Sequence, residues 1–213
     1  MENILVAGAN GTTGKKIVNL LKASQYFNPT AMVRKEEQLD QFKSEGVDTV
    51  LADLTEDLTH TVKGIDKVIF AAGSGGKNVV EVDQEGAKRL MAVAKMGNVN
   101  RFVMLSSMGA DNPEAVDDLK DYMKAKHNAD EHLKNSGLKY TIVRPGTLNN
   151  TEGTGKIELN NKLNKQGEIS RADVAQTLVK SLHDDAPYNT TFEIIEGDTL
   201  IGKAMNELNS VVN

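Results

Sequence analysis

The chain predicts an α/β fold, a doubly wound, mainly parallel sheet of about seven strands. Three observations carry that expectation. Short apolar runs alternate with amphipathic helical patterns from one end of the 213 residues to the other. The first such run, Ile4-Leu5-Val6-Ala7, passes directly into Gly8-Ala9-Asn10-Gly11-Thr12-Thr13-Gly14 and then into a helical pattern. The residues with chemical potential stand just after apolar runs, where an open sheet of this kind binds its ligands.

The elements follow in order. Asn3 to Ala7 is the first strand, and Ile17, Val18, Leu20 and Leu21 give Thr13 to Ala23 an apolar stripe at helical spacing. Further strands are expected at Thr30 to Val33, Thr49 to Leu51, Lys67 to Ala71, Arg101 to Leu105, Tyr140 to Arg144 and Phe192 to Ile195. Helices are expected at Glu36 to Glu45, Val80 to Lys95, Asp117 to Asn135, Arg171 to Leu182 and Gly202 to Val211, each with apolar residues recurring three or four apart. Thr147 to Gly167, rich in Asn, Gly, Thr and Lys, reads as an irregular excursion before a helix that Ser170 caps. No repeat or Pro-rich linker divides the chain, which reads as one domain.

Composition narrows the function. A hydrophobic fraction of 39% with 26% charged residues is that of an ordinary globular protein, and no apolar run reaches the length of a membrane span. The first strand begins almost at once, leaving no room for a secretory signal, so a cytoplasmic location is expected. The absence of cysteine rules out disulfides, thiolate nucleophiles and cysteine metal sites. A net charge of -5 supplies no basic excess for nucleic acid. His60, His127, His132 and His183 lie in polar contexts without metal-ligand spacing, and no metal site is expected. The eight methionines read as core filler. The expected partner is a small-molecule substrate, with neither nucleic acid nor membrane, and the oligomeric state stays open.

The turn from Gly8 to Gly14 is a phosphate-binding pattern. One glycine permits the tight turn, one lets backbone approach a pyrophosphate, and one lets the helix pack on the strand, while the helix N-terminus attracts the anion. Gly8, Asn10, Gly11, Thr12, Thr13 and Gly14 are therefore cofactor candidates. Arg34, with Lys35 beside it, stands where a dinucleotide fold meets the adenosine ribose; a basic residue there suits the 2′-phosphate of NADP, and an acid would suit NAD. Asp53, followed by Leu54, could accept from the adenine amine or cap the next turn with the same oxygens. Ala71, Ala72 and Gly73 are small where a cofactor crosses the sheet.

Ser107, Tyr122 and Lys126 are the catalytic candidates. A phenol titrates near pH 10 when unperturbed, at about 10, so acid/base work at neutral pH needs a cation beside it. Lys126, four residues on, shares the helix face of Tyr122. Ser106 or Ser107, ending a strand, would orient a carbonyl oxygen by hydrogen bonding. The phenol would pass it a proton while reduced nicotinamide supplies hydride. Arg171 and Asp173 read as a helix cap or salt bridge.

These stretches resemble the atypical short-chain dehydrogenases/reductases, in the small NAD(P)-binding group of NmrA-like, biliverdin reductase B/flavin reductase-like and truncated epimerase-like proteins. The resemblance rests on residues 8–14, Leu105-Ser106-Ser107-Met108-Gly109, Tyr122 with Lys126, Tyr140 to Gly146, and Ile169-Ser170-Arg171-Ala172-Asp173-Val174-Ala175. It implies a Rossmann fold over residues 1–213, with 147–213 as a small substrate-side portion. It places Gly8, Gly11 and Gly14 at the pyrophosphate, Arg34 at the 2′-phosphate, Asp53 near adenine and Pro145 near the nicotinamide, and gives Ser107, Tyr122 and Lys126 the roles above. Ser106 and Lys126 join the cofactor set. The activity implied is NADP-dependent hydride transfer to or from a small carbonyl, quinone, flavin or sugar-like molecule. The alternatives are a non-catalytic NADP(H) sensor and an epimerase or dehydratase that retains its cofactor.

Overall fold

The computed structural model describes residues 1–115 and 119–212, with side chains through residue 208. Its strands are β1 (Glu2–Ala7), β2 (Phe27–Val33), β3 (Asp48–Leu51), β4 (Lys67–Phe70), β5 (Arg101–Leu105), β6 (Tyr140–Pro145), β7 (Thr147–Asn149), β8 (Lys156–Asn160), β9 (Glu168–Ser170), β10 (Thr190–Glu196) and β11 (Thr199–Leu200). Its α-helices are α1 (Thr12–Lys22), α2 (Glu36–Ser44), α3 (Ala87–Met96), α4 (Lys120–Lys134), α5 (Arg171–Lys180) and α6 (Ile201–Val212).

Ile4, Leu5, Val6 and Ala7 are all fully buried because the sheet is covered on both faces, as a parallel sheet must be. Alternation sends Ile4 and Val6 into a core with Ile17, Leu21, Phe42, Leu178 and Met205, under α1, α2, α5 and α6. Leu5 and Ala7 enter the opposite core with Leu90, Met91, Ala129 and Leu133, under α3 and α4.

The strand order is β11-β8-β10-β6-β5-β4-β1-β2-β3. The strands β1 to β6 thus run in the order 3-2-1-4-5-6, parallel throughout, and the order reverses between β1 and β4. β10 adds in parallel to β6, whereas β8 and β11 are antiparallel additions. β7 and β9 form a separate parallel pair.

Three expectations are corrected. The main sheet has nine strands rather than seven, and the stretch Thr147 to Gly167 is not irregular but holds β7 and β8. These segments bury few side chains, only Ile157 in β8, so they lack the apolar runs that mark central strands. The helix expected from Val80 opens instead as a π-helical stretch, Val79–Gly86, ahead of α3. The helix expected from Asp117 is α4, starting at Lys120; Asp117 lies outside the described residues.

Two buried cations fasten the far end of the sheet. Lys67 Nζ donates to the Leu182 carbonyl at 2.8 Å and pairs with Glu2 and Asp184, while Arg101 Nη1 donates to the carbonyls of Ser181 and His183 at 2.8 and 2.6 Å. They supply donors to carbonyls at and just beyond the C-terminal end of α5.

Candidate functional site

The switch point between β1 and β4 opens the first half of a cleft. Gly8 has φ +85°, and a Cβ there would stand 2.6 Å from the Cα of Ala72. Gly11 donates its N-H to the Gly8 carbonyl at 2.9 Å, closing the turn. Gly14 is required for packing: a Cβ would meet the Gly8 carbonyl oxygen at 2.0 Å. Gly11 caps α1, with Thr12, Thr13 and Gly14 in its first turn, without a side-chain hydrogen bond or an acidic residue. A glycine cradle against a helix N-terminus that no side chain caps fits a pyrophosphate.

This cleft, of about 270 Å³, is lined by Gly8, Asn10, Gly11, Arg34, Asp53, Leu54, Ala71, Ala72 and Gly73, all expected from the sequence. Gln38 and Val82 line it as well and were not anticipated. Arg34 is exposed at its rim, whereas Lys35 caps α2 outside the lining. Asp53 does what the turn reading allowed: its Oδ1 accepts the Thr55 N-H at 2.9 Å and hydroxyl at 2.8 Å. Those two bonds, Thr55 N-H first, hold its carboxyl below the ordinary range, with Arg34 adding a smaller pull.

The second half is a cavity of about 620 Å³ at the carboxyl ends of β5 and β6. Ser106, Ser107, Tyr122 and Pro145 line it together, with Met108, Met123 and Leu148 as apolar walls and Lys162, Lys165 and Glu193 across from them. The two adjacent serines part company. Ser106 is buried and donates to Asp130 Oδ2 at 2.8 Å, which also receives Arg144 Nε at 2.9 Å and Nη2 at 2.8 Å. Ser107 is half-buried and its hydroxyl donates to the Met108 carbonyl at 3.2 Å. Desolvation outweighs the Arg144 guanidinium and pushes the Asp130 carboxyl above its ordinary range.

Tyr122 and Lys126 do share a face of α4. The Lys126 ammonium stands 5.6 Å from the Tyr122 ring centroid, donates to the Leu105 carbonyl at 3.4 Å and pairs with Asp83 at 3.6 Å. Asp83, on the π-helical stretch, and Glu193, in β10, are buried carboxylates that the sequence reading missed. An acid inside a helical or strand pattern carries no local mark of burial.

The remaining polar candidates are structural. Asp173 accepts the N-H groups of Thr154 at 3.0 Å and Gly155 at 2.7 Å, while Ser170 caps α5 by accepting the Asp173 N-H at 3.0 Å. His127 Nδ1 meets the Ala110 carbonyl at 2.8 Å, and His60 Nε2 the Leu51 carbonyl at 3.0 Å. His183 packs edge-on against Tyr26 and Phe27. Among the described residues no helix is long and apolar enough to cross a membrane.

Residues 8–185 match the NAD(P)H-binding family. The chain belongs to that family. The glycine cradle and the lining of both halves of the cleft, Glu193 excepted, fall inside the matched region. Over 96% of this chain and 99% of the relative, the NAD(P)H-binding chain is 40% identical to the uncharacterized sugar epimerase YhfK of Bacillus subtilis. A solved structure from Bacillus halodurans, provisionally named an NAD-dependent epimerase/dehydratase, superposes with TM-score 0.93 at 37% identity, covering 98% of this chain and all of that one. The oxidoreductase ylbE of Lactococcus lactis superposes with TM-score 0.88 at 33% identity, covering 98% and 97%. These are epimerase- and reductase-like Rossmann proteins, the group to which the sequence motifs pointed.

Proposed function

We propose that the chain is an NADP-dependent oxidoreductase that moves hydride between the nicotinamide and a small carbonyl, quinone, flavin or sugar-like substrate. The observation that carries this reading is the meeting of Ser107, Tyr122 and Pro145 in one cavity beside the glycine cleft. Gly8, Asn10, Gly11 and the first turn of α1 hold the pyrophosphate, Arg34 and Lys35 the 2′-phosphate, and Asp53 with Leu54 the adenine. Ala71, Ala72 and Gly73 leave room for the crossing to Pro145. The cofactor supplies hydride. Ser107 donates a hydrogen bond to the substrate carbonyl oxygen, and Tyr122 passes its phenol proton to the same atom as charge develops there. Lys126 stands behind the Tyr122 ring and steadies the phenolate left by that transfer. The absence of cysteine from the sequence agrees with a cytoplasmic setting.

The names carried by YhfK and the Bacillus halodurans protein favour a second reading, an epimerase or dehydratase that regenerates its cofactor in each cycle. Screening carbonyls, quinones, flavins and sugars for NADPH oxidation separates the two. Net oxidation that is lost in Tyr122→Phe, with NADPH binding retained, supports the oxidoreductase. Turnover without net cofactor consumption supports the epimerase. A larger thermal shift with NADPH than with NADH, abolished by Arg34→Ala, supports the NADP assignment.

A further inference from the structure

One buried carboxylate has no part in the chemistry above. Asp83 is 1% exposed. Its Oδ2 accepts the Ser74 N-H at 2.9 Å, tying down the loop that leaves β4. Its Oδ1 makes no hydrogen bond and stands 3.6 Å from the Lys126 ammonium. That same oxygen is 3.3 Å from the place a Cβ would take on Gly73, a residue of the glycine cleft. The carboxylate therefore lies immediately behind the passage from cleft to cavity.

A structural role alone accounts poorly for this arrangement. Buried ion pairs stabilise little unless their geometry is good and their spare lone pairs are satisfied, and apolar residues commonly serve as well. Here the contact is long, and the oxygen that makes it, Oδ1, accepts no hydrogen bond. The charge is nevertheless matched. Lys126 with Asp83, and Arg144 with Asp130, put two buried cations and two buried anions beneath Ser107 and Tyr122. Across the cavity Lys162 pairs with Asp111, Lys165 with Glu158, and Glu193 accepts the Leu163 N-H.

We propose that Asp83 is a positioning residue that acts through Lys126, balancing and holding its ammonium so that the site tolerates the oxidised as well as the reduced nicotinamide. The inference rests on the cofactor reading above, with the nicotinamide half beyond Gly73. The oxidised ring carries a positive charge and the reduced ring does not. An unbalanced ammonium behind Gly73 and Leu105 would therefore weaken NADP⁺ and leave NADPH nearly untouched. With Asp83 present the pair has almost no net charge.

The test is the ratio of dissociation constants for NADP⁺ and NADPH, measured by calorimetry on the full chain, its Asp83→Asn and Lys126→Met variants, and the double variant. Asparagine keeps the shape and an acceptor for the Ser74 N-H while removing the charge. Asp83→Asn is expected to raise Kd(NADP⁺)/Kd(NADPH) by about tenfold. Lys126→Met is expected to lower the ratio, and the double variant to return it towards the wild-type value. A purely structural Asp83 weakens both dinucleotides together and leaves the ratio alone. That result in a folded Asp83→Asn overturns the proposal. If Asp83→Asn does not fold, an unchanged ratio in Lys126→Met overturns it, and a lowered one supports it. A wild-type chain that binds neither dinucleotide overturns the cofactor reading and this inference with it, whereas binding with an immovable ratio overturns this inference alone.

Discussion

Replacing Gly14 by alanine tests the glycine turn where its geometry is tightest. The added methyl would stand 2.0 Å from the Gly8 carbonyl oxygen, 2.8 Å from its carbon and 2.9 Å from the carbonyl carbon of Ala9, where ordinary contact begins at 3.4 Å. All three neighbours are backbone, so no side chain can swing aside, and α1 must lift from the turn by more than about 1 Å. Overpacking of this kind costs about 1–3 kcal/mol, set against a helix-propensity gain of at most about 1 kcal/mol for alanine over glycine. A net loss of about 1–2 kcal/mol lowers Tm by about 2–8 °C in a chain of this size. The same displacement spoils the cradle for pyrophosphate, so the thermal shift produced by NADPH should shrink as well. Urea unfolding and thermal melts, each with and without NADPH, measure both effects. Gly202→Ala is the control, since a methyl there meets nothing within 4 Å in α6 and is expected to be neutral or mildly stabilising. Equal stability and equal NADPH shifts in the two variants would refute the close-approach account of Gly14.

Two further outcomes are expected. Asp173→Ala strips the acceptor from the N-H groups of Thr154 and Gly155 and should cost about 1–3 kcal/mol in urea unfolding, with proteolytic nicking near residue 154 as a second readout. For pH, the Asp53 carboxyl sits below its ordinary range, so its contribution is present above the unfolded value near 3.8 and is lost as pH falls through the lowered folded value. Thr55→Val removes the hydroxyl part of that effect. It should cost at most about 0.5 kcal/mol at neutral pH after solvent screening. The gap should close in acid, and a gap constant down to pH about 3 would contradict the assignment.

The central strands were readable because burial on both faces demands uninterrupted apolar runs, and Ile4 to Ala7 supplies one. The edges were not. Lys156–Asn160 buries one side chain, and its pairing with β10 is a long-range fact that no local pattern records. In the same way, Val79–Gly86 has the apolar spacing of an ordinary helix, and its π-helical geometry brings Asp83 against Lys126 only in the folded chain. The glycine turn, Arg34, Ser107 and Tyr122 were legible because each closes an apolar run or shares a helix face at a fixed spacing. Ser106 and Ser107 were harder to tell apart from sequence. Both line the cavity, but the hydroxyl of Ser106 is committed to Asp130 while that of Ser107 donates only to the neighbouring Met108 carbonyl.

A crystal structure of the chain with NADP⁺ bound tests the central claim most directly. The account predicts the pyrophosphate at Gly8 to Gly14, the 2′-phosphate against Arg34, and the nicotinamide beside Pro145 with its reactive face open to Ser107 and Tyr122. A cofactor whose nicotinamide points away from Ser107 and Tyr122, or whose 2′-phosphate makes no contact with Arg34, would contradict it.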